Sequence, residues 1–172
     1  MKTLAFIQVA SLGAALEAVN VLGNYKDCEL VELMPMGGPA VLMLAGDYTD
    51  LNIFRRNLRT ADLQKSTFIK YQDLVLDIIY HKVNKSLEKN VLVLESNFIG
   101  DLMAVVETKL DEISVVDFTL NRHHLSQSSL LLSSSDPEPL NEIAEKAHAK
   151  KVRATIFDNP SSVLRNLFGE KK

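Results

Sequence analysis

Two hydrophobic periods run along the chain, one near two residues and one near 3.6, and each switch between them marks a new element. Residues 4–9, Leu-Ala-Phe-Ile-Gln-Val, read as a strand, and Ser11 is placed to cap the helix that follows. In that helix Leu12, Ala15, Leu16, Val19 and Leu22 recur at helical spacing. Residues 28–33 alternate as a strand, residues 34–39 form a Pro- and Gly-rich loop, and residues 40–45 are a second strand. Gly46-Asp47 closes it, with Asp47 or Thr49 capping a helix that starts near Leu51.

The series then recurs. Residues 90–95 read as a strand, and Asn97 precedes a helix carrying Ile99, Leu102, Met103, Val106 and Leu110. Residues 113–118 and 129–134 read as strands, and Asp136 precedes a helix from Leu140 through Ala149. Leu12, Gly13, Ala15, Leu16 and Val19 lie 87 residues before Ile99, Gly100, Leu102, Met103 and Val106. Asp47, Leu51 and Asn52 lie 89 residues before Asp136, Leu140 and Asn141. One strand–helix–strand–strand–helix unit thus occurs twice, which predicts a duplicated domain rather than a solenoid.

Between the copies, Phe68, Tyr71, Val75, Ile79, Val83 and Leu87 fall on one helical face. This stripe predicts a long amphipathic helix over residues 60–89 joining a first domain, 1–59, to a second, 90–172. That helix takes the place of the last strand expected of the first copy. Residues 152–157 read as a final strand, and Ser161-Ser162 cap a short last helix.

Composition narrows the class. At 47% hydrophobic and 24% charged residues the chain is an ordinary globular sequence, so wholesale disorder is not expected. The net charge is −3 and no long basic run occurs, which leaves no electrostatic footprint for nucleic acid. The single cysteine, Cys28, excludes an internal disulfide and a cysteine-rich metal site. The N-terminal apolar run is interrupted by Gln8 and Glu17 and is read as strand and helix rather than a signal peptide. No stretch reaches 18 uninterrupted apolar residues, so no membrane span is expected, and a cytoplasmic protein is the default.

Chemistry is sparse. No G-x-S-x-G, G-x-G-x-x-G or Walker pattern occurs, and Gly37-Gly38 alone is not a phosphate loop. Ser126, Ser128, Ser129 and Ser133–Ser135 read as a serine patch of loop and strand edge. His81 sits at the margin of the apolar stripe. Cys28 lies between Asp27 and Glu29, which suppress its ionisation. No catalytic set, cofactor or metal site is expected.

A βαββα(β) unit of this size is ferredoxin-like, and the residues narrow it further. The ordered series Ala14-Ala15-Leu16-Glu17-Ala18, Glu29-Leu30-Val31, Met36-Gly37-Gly38 and Gly46-Asp47 resembles the bacterial microcompartment (BMC) shell domain. With the duplication, the chain is similar to the tandem-domain members of that family. The resemblance implies an α+β fold of two tandem ferredoxin-like BMC-type domains. It also implies a structural shell protein assembling as a homotrimer that mimics a hexamer. Its expected partners are its own copies, in higher-order sheets, and other shell proteins, inside a bacterial microcompartment. It places Met36, Gly37 and Gly38 at a pore on the symmetry axis, although Gly and Pro equally suit a plain turn. Arg122, His123 and His124 in the second copy's loop stand as further pore candidates, for anions or metal, or as a solvated polar loop. For edge-to-edge tiling, the family lysine aligns with Asn24 in the first copy and Lys109 in the second. The arginine preceding Gly-Asp is Ala45 here and Ser134 in the second copy. These departures keep two alternatives open: a ferredoxin-like small-molecule-binding regulatory module, and a shell-fold scaffold that no longer tiles.

Overall fold

A computed structural model describes residues 2–82, 87–120 and 127–168, with side chains through residue 166. The first elements are β1 (Lys2–Val9), α1 (Leu12–Leu22), β2 (Cys28–Pro35), β3 (Ala40–Asp47), α2 (Tyr48–Asn57), β4 (Leu63–Lys70) and α3 (Asp73–Ile79). They are followed by β5 (Asn90–Ser96), α4 (Ile99–Val106), β6 (Ser114–Leu120), β7 (Ser128–Ser134), α5 (Glu138–Ala149), β8 (Arg153–Asp158) and α6 (Ser162–Phe168). Two compact units result. One runs to Tyr71 and takes in Asn97–Gly100; the other contains Gln72–Ser96, Asp101–Leu120 and the residues from Ser128 onward.

In the first unit an antiparallel sheet has the order β2-β3-β1-β4. The interior strands β1 and β3 are apolar on both faces, as strands covered on both sides must be. On one face Ala5, Ile7, Val9, Leu42 and Leu44 form a core with Ala15, Ala18 and Leu22 of α1 and with Leu51 and Phe54 of α2. Both helices start where side-chain oxygens satisfy exposed backbone donors. Ser11 Oγ accepts from the Ala14 N–H at 3.1 Å, and Asp47 Oδ1 accepts from the Thr49 N–H at 2.8 Å. The tip of α2 is held by Tyr25, whose ring meets Phe54 edge-on at 5.4 Å and whose hydroxyl accepts from Asn57 Nδ2 at 2.7 Å.

Among the described residues the expected long helix over 60–89 is replaced by strand β4, the short helix α3 and turns, while Val83 of the stripe lies outside the described residues. β4 pairs antiparallel with β1, Thr3 with Lys70 through Val9 with Leu63. The open edge of β1 carries backbone donors and acceptors that need partners, and Thr67, Phe68 and Ile69 suit a pleated surface. Tertiary pairing therefore overrides the helical stripe in its first half. The second half survives as α3, where Val75, Ile78 and Ile79 are buried. The Tyr80 N–H returns to the Leu76 carbonyl at 2.9 Å, and His81 turns the chain with a left-handed φ of 53°. The last strand of the first copy is thus present.

The second unit's sheet has the order β6-β7-β5-β8, with α5 packed on β5, β7 and β8. Its register repeats the first. Thr3 pairs with Gly46 and Lys70, and Asn90 with Ser134 and Asp158, an offset of 87 residues in β5 and 88 in both neighbours. Both outer strands slip at the same place, between Leu30 and Glu32 in β2 and between Val115 and Asp117 in β6. A shared bulge is a stronger mark of duplication than shared periodicity, because a bulge sets a local bend that a chance apolar pattern does not demand.

The helix expected to reach Leu110 ends at Val106, and turns carry the chain onward. Part of the serine patch is not loop or strand edge, although Ser135 is exposed beyond β7 and Ser126 lies outside the described residues. Ser128, Ser133 and Ser134 are buried in β7 and hydrogen-bonded. Ser128 Oγ donates to the Ser96 carbonyl at 3.2 Å, Ser133 Oγ accepts from the Glu88 N–H at 3.2 Å, and Ser134 Oγ accepts from the Asp136 N–H at 3.2 Å.

Candidate functional site

The hairpin between β2 and β3 is closed by the Met36 N–H donating to the Pro39 carbonyl at 2.9 Å. Gly37 takes φ 76°, a conformation that costs an L side chain about 1–2 kcal/mol. Gly38 faces open space. Met36 turns inward and is buried, so the exposed part of the loop is the backbone of Gly37 and Gly38. Local turn geometry alone therefore accounts for Gly37. Arg122, His123 and His124 lie outside the described residues.

Asn24 and Lys109 occupy equivalent turns beyond α1 and α4. The Asn24 N–H donates to Val21 at 3.0 Å and the Lys109 N–H to Val106 at 2.9 Å. Their side chains differ in circumstance. Asn24 is exposed. Lys109 Nζ lies 3.0 Å from Glu112 Oε2 and 3.0 Å from Glu142 Oε2, within its own chain. Hydrogen bonds to Glu112 and then Glu142 raise the ammonium above the usual lysine range. This folded-state stabilisation persists below the ordinary lysine pKa and is lost only as strongly alkaline pH strips the proton. Lys109→Met is expected to lower the Tm slightly, with the difference shrinking in roughly 1 M salt, where the screening length is about 3 Å. A thermal melt at two salt concentrations checks this.

The end of β3 is tightly built. The Asp47 N–H donates to the Asp27 carbonyl at 3.3 Å, and a Cβ added at Gly46 would stand 2.1 Å from that same oxygen. Gly46 is thus required by close backbone approach. Beside it, partial burial pushes the Cys28 thiol up to about 11, helped by Asp50, Asp27 and Asp47. Cys28 is a poor nucleophile on this geometry. His81 stacks at a tilt on Phe118, with ring centres 5.6 Å apart. Among the described residues no group of three or more His, Cys, Asp or Glu is placed to hold a metal ion, and no helix is long and apolar enough to cross a membrane.

Surfaces carry more information than side-chain chemistry. Leu12 and Leu16, part of the apolar spacing of this helix, are exposed, whereas Ala15, Ala18 and Leu22 are buried. The apolar arc of α1 is wider than one buried face needs. That width is the sequence signal of a second surface. In the second unit a cavity of about 330 Å³ opens on the sheet face bearing Val93 and Leu131, bounded by Phe157 of β8 and Leu164 of α6. At its rim Thr119 Oγ1 donates to Asp117 Oδ2 at 3.3 Å.

No protein-family model matches the chain, and no curated protein matches it. Solved structures do. A microcompartments protein from Desulfitobacterium hafniense DCB aligns over 96% of this chain and 99% of its own, with a TM-score of 0.76 and 15% identity. A mutant chlorite dismutase from Candidatus Nitrospira defluvii aligns over 98% of this chain and 95% of its own, at a TM-score of only 0.33 and 7% identity, which supports no argument. The chain therefore has the α+β fold of a microcompartment protein, end to end, with two four-stranded sheets.

Proposed function

We propose that the chain is a structural, self-assembling protein of the tandem microcompartment-shell type, a trimer whose six repeats surround a central opening. The observation that carries this reading is the duplicated sheet, repeated down to its bulge, in a chain whose fold aligns with a microcompartment protein over 96% of its length. Six similar units give a closed ring a repeated edge to pair. The exposed Leu12 and Leu16 are apolar surface of the kind that protein contacts cover. In such a ring the Met36–Gly38 hairpin presents backbone amides and carbonyls at the opening, and Arg122, His123 and His124 add cationic or titratable groups. Further partners are copies of the trimer and other shell proteins, in a bacterial microcompartment. No catalytic role is proposed.

One observation favours a discrete trimer over a tiled sheet. Lys109, the lysine aligned with the tiling position, is held by Glu112 and Glu142 of its own chain, and its counterpart is Asn24. Light scattering coupled to size exclusion, with negative-stain imaging of the concentrated peak, tests both readings. A mass of three chains and ring-shaped particles are expected. Rings that stay separate at high concentration select the scaffold reading, and sheets select the shell. A monomer or dimer overturns the trimer.

A further inference from the structure

The two copies furnish the flank of their second helix differently. In the first, Tyr48 opens α2 and its ring meets Phe68 of β4 near edge-on, with ring centres 5.4 Å apart. Arg55, further along α2, is half-buried, and its Nε and Nη2 donate to Asn52 Oδ1 at 3.3 and 3.1 Å. The counterparts of Tyr48 and Arg55, 89 residues later, are Pro137 and Ala144, which carry neither an aromatic ring nor a long side chain. The counterpart of Phe68, 88 residues later, is Ile156 of β8. Here the second unit has a groove of about 520 Å³ between α5 and β8, lined by Ala144, His148, Val152, Arg153, Ala154 and Ile156. Ile156 is 38% exposed.

Edge, spacing and charge define what the groove takes. β8 is the last strand of its sheet and, among the described residues, pairs only with β5, so its outer edge offers backbone donors and acceptors to an added strand. Ala154 and Ile156 are alternate residues and share one face, the spacing at which an added strand sets its side chains into pockets. Residues 146–153 hold Lys146, His148, Lys150, Lys151 and Arg153 and no acidic residue, in a chain of net charge −3. His148, Lys150 and Lys151 are exposed, while Arg153 Nε lies 3.5 Å from Glu95 Oε2 and Lys146 Nζ donates to Thr108 Oγ1. We infer that β8 receives an extended acidic segment of a partner protein as an added strand, with an aromatic side chain of that segment seated on Ile156 in the groove. The ring takes the place that Tyr48 fills on Phe68 in the first copy, and the segment's carboxylates meet His148, Lys150 and Lys151. Ile156 is too exposed for an enclosed small-molecule pocket, which buries about 70–90% of its ligand. The groove lies within one compact unit, so its use does not depend on the trimer.

The test uses the full chain and a fluorescein-labelled peptide, Glu-Val-Glu-Phe-Glu-Val-Glu, followed by fluorescence anisotropy. Saturable binding is expected, weakened about tenfold when the peptide's Phe is replaced by Ala and about tenfold when its glutamates are replaced by lysines. Of two peptides N-methylated on alternate amides, one is expected to bind as the unmethylated peptide does and the other not at all, because only one set of amides faces the strand it joins. Ala144→Arg restores the first copy's side chain, and Ile156→Ser removes the apolar seat at an exposed position. Each is expected to weaken binding about tenfold while the melting transition stays in place. Weaker binding in either variant with that transition unchanged supports the added strand. No binding up to about 1 mM peptide, equal binding of the glutamate and lysine peptides, equal behaviour of the two methylated peptides, or unaltered affinity in both variants overturns it. A fall in the mass of the chain on Ala144→Arg without peptide also overturns it, since the groove then belongs to a second copy.

Discussion

Gly46→Ala is expected to destabilise the chain by about 3 kcal/mol, a fall in Tm of about 9 °C for a protein of this size. The added methyl would stand 2.1 Å from the Asp27 carbonyl oxygen and 3.2 Å from the Cys28 Cα. Both are backbone atoms, so no side chain can swing aside. The carbonyl also accepts the Asp47 N–H, and Asp47 caps α2. Relief of the clash thus loosens the strand end and the helix start together. Gly38→Ala is the control. It faces open space, and its expected effect is within about 0.5 kcal/mol. Urea melts of both variants beside the parent decide the matter, and equal midpoints for all three would show that the β2–β3 approach yields freely.

Alkylation of Cys28 by iodoacetamide at pH 8 is expected to run on the order of 100-fold slower than that of a free thiol, since ordinary thiols titrate near 8.5. The folded thiol is held at about 11 by burial first, then by Asp50, Asp27 and Asp47. The rate should climb about tenfold per pH unit without a plateau below that value, and Asp50→Asn should raise it. A plateau near pH 9 would refute the raised ionisation. Stability moves with the same proton. Below about pH 8.5 the thiol is protonated in both states and contributes no pH dependence. From there to about 11 the unfolded chain releases a proton that the folded chain keeps, so stability falls as pH rises. Cys28→Ser is expected to flatten that alkaline decline.

Much of the fold was legible from local pattern. The alternation in residues 28–33 and 40–45, the Ser11 cap and the 87-residue echo of Leu12–Val19 in Ile99–Val106 are all short-range features. The Gly-Asp closure was visible as well, although its reason, a backbone carbonyl on the neighbouring turn, was not. The candidate site was less legible. Met36 looked like part of an exposed loop but is buried, and Lys109 looked available but is paired with Glu142, more than thirty residues away.

By itself the sequence determined the duplication, the α+β class, most of the element order and the absence of a recognisable catalytic motif. These depend on spacing between near neighbours and on residue types. Tertiary structure decided that residues 63–70 are a strand, that Ser128, Ser133 and Ser134 of β7 are buried, and which leucines of α1 face outward. In each case the deciding partner is remote in sequence. β1 offers an unpaired edge, Ser96 and Glu88 offer hydrogen-bond partners, and the sheet takes only Ala15, Ala18 and Leu22 of a broader apolar arc. The start of the helical stripe, at Phe68, yields to the open sheet edge, because pairing satisfies β1 backbone groups that a helix there would leave unmet.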